Sequence, residues 1–160
     1  MNFLKKTKEL RAVCTGRCGE LKEIPDEAFA EGMLGQGVAM YPTGNLFFSP
    51  CEAVVESVAE TGHAVSLRTK DGMDLLIHVG VDTVTLKGEG FRPLVKTGET
   101  VAVGTPLLQA DLRLIASRGL PTVTAFLISN PEITESIEYR YGEKVGGQDT
   151  VLSCRIVRKG

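Results

Sequence analysis

Two histidines stand in this sequence, His63 and His78, each within a short run of β-forming residues. A neutral imidazole, with an ordinary pKa of about 6.5, can serve at pH 7 as nucleophile, general base or metal ligand. Along residues 73–81, Met73, Leu75, Ile77, Val79 and Val81 fall on one side of an extended chain. Asp74, Leu76, His78 and Gly80 fall on the other, so His78 projects away from the main apolar face, with Asp82 just beyond Gly80. Between the histidine runs, Thr69-Lys70-Asp71-Gly72 carries an Asp-Gly hairpin signal. Loop length then decides the geometry. A two-residue loop sets His63 opposite Gly80 and His78 opposite Val65, leaving the imidazoles diagonal neighbours about 7–8 Å apart at the backbone. A three-residue loop sends them to opposite faces. That second register groups His63, Val65 and Leu67 with Leu75, Ile77 and Val79, so periodicity leaves the parity open. Two satisfied histidines near a sheet edge fit the pattern equally well.

The elements that must carry these residues are mostly strands. The 160-residue chain has 18 Gly and 7 Pro, and they punctuate short runs of Val, Leu, Ile and Thr. Residues 53–58, 63–69, 73–81, 100–103 and 151–157 read as such runs. Short strands at this spacing predict an all-β fold, a β-sandwich or barrel-like single domain with a few short helices. Asp111 is placed to cap a helix over residues 112–118, with Gly119 past its end. Asn130 and Pro131 predict a helix reaching about Tyr139. Asp26 is placed to cap a single turn over residues 27–30. Residues 1–11 read as a flexible tail and 12–160 as the domain.

Composition narrows the function. Eighteen Lys and Arg against 20 Asp and Glu give a net charge of −2, without the positive excess that a nucleic-acid binder uses. No apolar run approaches the ~18 residues of a membrane span. Lys5, Lys6 and Lys8 precede no signal-peptide core; at most Phe3 and Leu4 could hold the tail weakly on an anionic membrane surface. The expected address is cytoplasmic, which argues against disulfides among Cys14, Cys18, Cys51 and Cys154. In a strand, Cys14 and Cys18 would stand about 13 Å apart, too far to share a bond or a metal. All four are expected as small buried hydrophobes.

One series of residues is specific. Ile24-Pro25-Asp26 leads to Phe29-Ala30-Glu31 and to Leu34-Gly35-Gln36-Gly37-Val38-Ala39-Met40-Tyr41-Pro42-Thr43-Gly44-Asn45. Thr61-Gly62-His63-Ala64, Ile77-His78-Val79-Gly80-Val81-Asp82-Thr83-Val84 and Leu86-Lys87-Gly88-Glu89-Gly90-Phe91 follow in order. From about Ala12 onwards this closely resembles the glucose-type IIA component of the bacterial phosphoenolpyruvate-dependent sugar phosphotransferase system.

The resemblance implies a phosphocarrier with two histidines in a shallow depression of an antiparallel β-sandwich. His78, in the His-Val-Gly-Val-Asp-Thr-Val block, matches the family's phosphorylated histidine. His63 matches its partner, and Thr61 is expected to hydrogen-bond beside it. The donor would be the histidine-phosphorylated carrier protein, and the acceptor a cysteine on a sugar-specific IIB domain. No cofactor or metal is required, and the membrane is met only through the permease partner. Asp26 and Asp82 resemble acidic residues that face basic groups on the donor. Phe29, Gly80, Leu76 and Val38 are expected on the partner-binding surface, with Met33 and Val65 as further apolar candidates. Ala59, Gly62 and Val65 are smaller than the residues the family commonly carries there. That trimmed rim leaves room for an alternative, a regulatory protein-binding module without phosphotransfer, and regulatory targets are further possible partners. A zinc hydrolase would need a third protein ligand that spacing does not supply, and Lys70 at its hairpin tip lacks the surroundings of a lipoyl or biotinyl acceptor. A start at Met1 with a short tail favours a free-standing protein, and a monomer is the default expectation.

Overall fold

The computed structural model describes residues 7–157, and their short apolar runs form fourteen strands. In chain order these are β1 Thr7–Arg11, β2 Gly16–Glu20, β3 Gln36–Pro42, β4 Leu46–Phe48, β5 Ala53–Val58, β6 Ala64–Arg68 and β7 Asp74–His78. After them come β8 Phe91–Pro93, β9 Thr100–Val101, β10 Pro106–Ala110, β11 Thr124–Ile128, β12 Thr134–Tyr139, β13 Gly142–Lys144 and β14 Thr150–Ile156. Two short helices, α1 Glu27–Ala30 and α2 Leu112–Ser117, and three single 3₁₀ turns complete the described chain. All strand pairs are antiparallel. An eight-stranded sheet runs β13-β2-β3-β11-β7-β6-β5-β9, and two three-stranded sheets run β1-β14-β12 and β4-β10-β8. The expected all-β, antiparallel architecture is the one observed.

The main core includes Met40, Phe47, Leu67, Leu75, Ile77, Leu107, Ile115, Phe126 and Leu152, all essentially inaccessible to water. A second, smaller cluster joins Ile24 and Phe29 at α1 to Ala39, Val81, Val123, Ala125 and Leu127. Strand β11 contributes Phe126 and Ile128 to the first cluster and Ala125 and Leu127 to the second. Its five residues are therefore all buried, which is why Thr124-Ala125-Phe126-Leu127-Ile128 reads as a continuous apolar run rather than an alternation. The four cysteines are buried and free, as expected of small hydrophobes.

Two expectations are corrected. Thr7–Arg11, placed in the tail, pairs with β14 and buries Leu10 completely. Residues 1–6, and with them the membrane-surface reading of Phe3 and Leu4, lie outside the described residues. The helix expected from Asn130 to Tyr139 is a 3₁₀ turn, Pro131–Ile133, followed by strand β12 on the edge of β14. The reason lies in what Asn130 does instead of capping. Its side-chain carbonyl accepts from the Asp74 N–H at 2.8 Å and its amide donates to the Gly72 carbonyl at 2.9 Å. The β-branched Ile133, Thr134 and Ile137 then favour extended chain where β14 offers an open edge.

Candidate functional site

The hairpin of β6 and β7 positions both histidines. It pairs Ala64 with His78, Val65 with Ile77 and Arg68 with Asp74, the register of the three-residue loop. Thr69 and Met73 close that loop, with the Thr69 N–H 3.0 Å from the Met73 carbonyl and Gly72 at φ +93°. Strict alternation in this register puts the histidines on opposite faces. Instead their ring centroids lie 4.9 Å apart, edge to face at 79°. The rule fails because His63 is not in the ladder. β6 begins at Ala64, and Gly62, at φ +75°, turns the chain immediately before His63. The strand's facing therefore no longer binds the imidazole. The His63 carbonyl accepts from the Val79 N–H at 2.9 Å, and its Nδ1 lies 2.6 Å from the Thr61 hydroxyl. Phe91 meets the ring edge-on at 6.3 Å.

His78 ends β7 on the face away from the main core. Its lateral neighbours are Ala64 on β6 and Ala125 on β11, and the row continues through Ala39 on β3 to Gly19 on β2. Small residues across these strands leave a trough in which the imidazole is the one large side chain of the row. Phe29 packs against it, ring centroids 5.0 Å apart. Asp26 holds Phe29 there: its carboxylate accepts from the Ala28 N–H at 3.0 Å and the Phe29 N–H at 3.4 Å, capping α1.

After β7 the chain turns at Gly80. A Cβ on Gly80, at φ +76°, would collide with the Thr83 methyl and stand 2.9 Å from the Pro121 carbonyl. The Gly80 carbonyl lies 3.0 Å from His78 Nδ1. A carbonyl only accepts, so Nδ1 carries the hydrogen and Nε2 keeps its lone pair. Burial pushes the His78 pKa below the ordinary value, opposed by the Gly80 hydrogen bond and the negative charges of Asp26 and Asp82. Burial, then proximity to His78, lowers that of His63 as well. Both rings are neutral at pH 7.

The structure thus gathers His78, His63, Thr61, Gly80 and Phe29 in one place, with Asp26 capping the adjoining helix. Asp82 is exposed, and Leu76 is half-buried one same-face step along β7. Met33 is 71% exposed. Val38, expected on the partner-binding surface, and Val65 are instead in the main core at 0% and 1% exposure, because their strand positions face the other side of the sheet. Phe91, Ala64 and Ala125 were not expected in the site. The alanines carry a faint signal, small residues within runs of Val, Leu and Ile. Phe91 carries none, since tertiary folding alone brings it to His63. Among the described residues, no group of three or more His, Cys, Asp and Glu is placed to hold a metal ion. Nor is any described helix long and apolar enough to cross a membrane.

Comparison with known proteins agrees with this geometry. The chain is 36% identical over 147 residues to the glucose-specific EIIA component of Haemophilus influenzae, covering 92% of this chain and 89% of that one. It is 33% identical over 159 residues to its namesake from Borreliella burgdorferi, covering 98% and 84%. The solved structure of glucose permease IIA from Mycoplasma capricolum superposes with a TM-score of 0.89 at 32% identity, over 96% of this chain and 99% of that one. Residues 8–133 match the family model described as phosphoenolpyruvate-dependent sugar phosphotransferase system, EIIA 1. With the paired histidines, the antiparallel fold and these likenesses all in agreement, the chain belongs to the EIIA 1 family of the phosphoenolpyruvate-dependent sugar phosphotransferase system.

Proposed function

We propose that this EIIA component is a phosphocarrier in sugar uptake, taking a phosphoryl group on Nε2 of His78 and passing it on. The observation that carries the reading is the His78 Nδ1–H···O=C Gly80 hydrogen bond, which leaves Nε2 as the nucleophilic nitrogen beside a second imidazole. The donor is a histidine-phosphorylated carrier protein. As the bond from Nε2 to phosphorus forms, the donor's nitrogen–phosphorus bond breaks, and the Nδ1 hydrogen stays where it is. The Gly80 carbonyl dipole stabilises the positive charge that develops on the ring. The Thr61 hydroxyl lies 2.6 Å from Nδ1 of His63; in the tautomer where it donates there, the second ring carries its hydrogen on Nε2 and donates it to a phosphoryl oxygen. A cysteine thiolate of a sugar-specific IIB domain then attacks phosphorus, and His78 leaves as neutral imidazole.

Two relatives from Corynebacterium glutamicum support the IIB partner, the glucose-specific and mannose-specific EIIBCA components. This chain matches 19% and 20% of their lengths. Asp26 and Asp82, whose charges act on His78, would meet basic groups of the donor, with the exposed Met33 and Val84 as apolar contacts. The reading needs no cofactor and places the chain on the cytoplasmic side of its permease.

Intact-mass analysis after incubation with phosphoenolpyruvate, enzyme I and the carrier tests it. One acid-labile phosphoryl group on the wild type, absent from His78→Ala, is the expected result. A label retained by His78→Ala would move the acceptor elsewhere. No label, with an active donor, would leave a regulatory binding module.

A further inference from the structure

Thr83 lies outside the histidine pair; it is completely buried and its hydroxyl is committed. The hydroxyl donates to the Val79 carbonyl at 2.5 Å, and the methyl packs where a Gly80 side chain would stand. The peptide unit it holds, Val79–Gly80, lies between the two units that touch the histidines. The Val79 N–H donates to the His63 carbonyl at 2.9 Å, and the Gly80 carbonyl, one residue beyond the oxygen bound by Thr83, faces His78 Nδ1 at 3.0 Å. Asp82, between them, sits in the left-handed region at φ +61°, a strained backbone that needs fixing from its surroundings. Val81 adds one further restraint, its N–H 3.2 Å from the Pro121 carbonyl.

We propose that Thr83 is a positioning residue, whose hydroxyl anchors the Val79–Gly80 peptide so that the Gly80 carbonyl holds His78 in the tautomer with Nε2 free. The inference rests on the phosphocarrier reading above for its functional meaning, but the tautomer itself is measurable without any phosphotransfer. Without the anchor, the Gly80–Val81 peptide keeps only the longer bond from its Val81 N–H to the Pro121 carbonyl, so the Gly80 carbonyl can tilt from His78 and the hydrogen is shared between the two ring nitrogens. Part of the population then presents an N–H to the incoming phosphorus.

The test pairs ¹⁵N NMR of the histidine ring nitrogens with the rate of labelling by the phosphorylated carrier, on Thr83→Val, which keeps the shape, and Thr83→Ser, which keeps the hydroxyl. In the wild type, His78 should show a protonated Nδ1 and an unprotonated Nε2. Thr83→Val should show averaged shifts at both nitrogens and a labelling rate about ten- to a hundred-fold lower, the scale set by misplacing a reacting group. Thr83→Ser should restore both. Unchanged shifts and rate in a folded Thr83→Val, or a Thr83→Ser that behaves like it, would overturn the proposal. Should Thr83→Val fail to fold, Thr83→Ala against Thr83→Ser isolates the hydroxyl, since both lack the methyl; equal tautomers and rates would overturn it. A wild type that holds the tautomer but takes no label would sink the phosphocarrier reading and leave the positioning role intact.

Discussion

His78 is a nucleophile because its two nitrogens are unlike: one is tied to the Gly80 carbonyl, the other free. Burial keeps that nitrogen unprotonated further into acid than an ordinary histidine. Protonation removes the lone pair, so the labelling rate should stay level from about pH 8 down past about 6.5 and fall only in more acid solution. A rate–pH profile that breaks at the ordinary histidine value would contradict the depressed pKa. His63→Ala should still take one label on His78, but about 100-fold more slowly, since one preorganised donor to the phosphoryl oxygens is gone. Quenched-flow labelling reads both. The sequence displayed the residue types for this chemistry, and the resemblance assigned their roles. The hydrogen bond that distinguishes the two nitrogens depends on a turn at Gly80 that residue types alone did not describe.

Among the elements, α1 and the β6–β7 hairpin decide whether the site forms. Helix α1 has four residues, too few to stand without its cap and its packing. Asp26→Ala should cost about 1 kcal/mol, the usual worth of an N-cap, read by urea denaturation. Asp26→Asn keeps the cap and should leave stability nearly unchanged while slowing donor-dependent labelling at low salt, because it removes a rim charge. Equal losses of stability in the two variants would mean that the carboxylate does more than cap. At the hairpin tip, Asn130→Ala strands the Asp74 N–H and the Gly72 carbonyl. That should cost about 1–3 kcal/mol, with the His78 tautomer unaltered, since the tip lies at the far end of β7. Both caps at Asp26 and Asp111 were legible because a capping side chain works within its own turn. The Asn130–Pro131 signal misled because it resembles a helix start while the side chain bonds across sequence to the hairpin, which local rules do not register.

For the whole molecule, two depressed histidines make acid destabilising. Their folded pKa values lie below the ordinary 6.5, so the unfolded chain binds protons first. Stability should then fall as the pH drops through about 6.5 towards the lower folded values. Glu23 and Asp71, held below their ordinary values, lose their contributions only at more acid pH, as each is protonated. Thermal midpoints of wild type and of a His63→Gln, His78→Gln double variant should therefore converge on acidification through the histidine range. Parallel curves would argue against this linkage. The sequence by itself determined the strand content, the all-β class, the face on which His78 stands and the burial of the cysteines. Each follows from alternation or composition within a few residues, where side-chain period and turn chemistry act directly. Tertiary structure decided the rest. It drew residues 7–11 into a sheet with β14, turned residues 134–139 from expected helix to strand, and took Val38 into the core. It also brought His63 beside His78 in a register where alternation would have parted them. These outcomes depend on which edge is open, which face is covered and where a strand ends, and all three are properties of distant chain segments meeting in space.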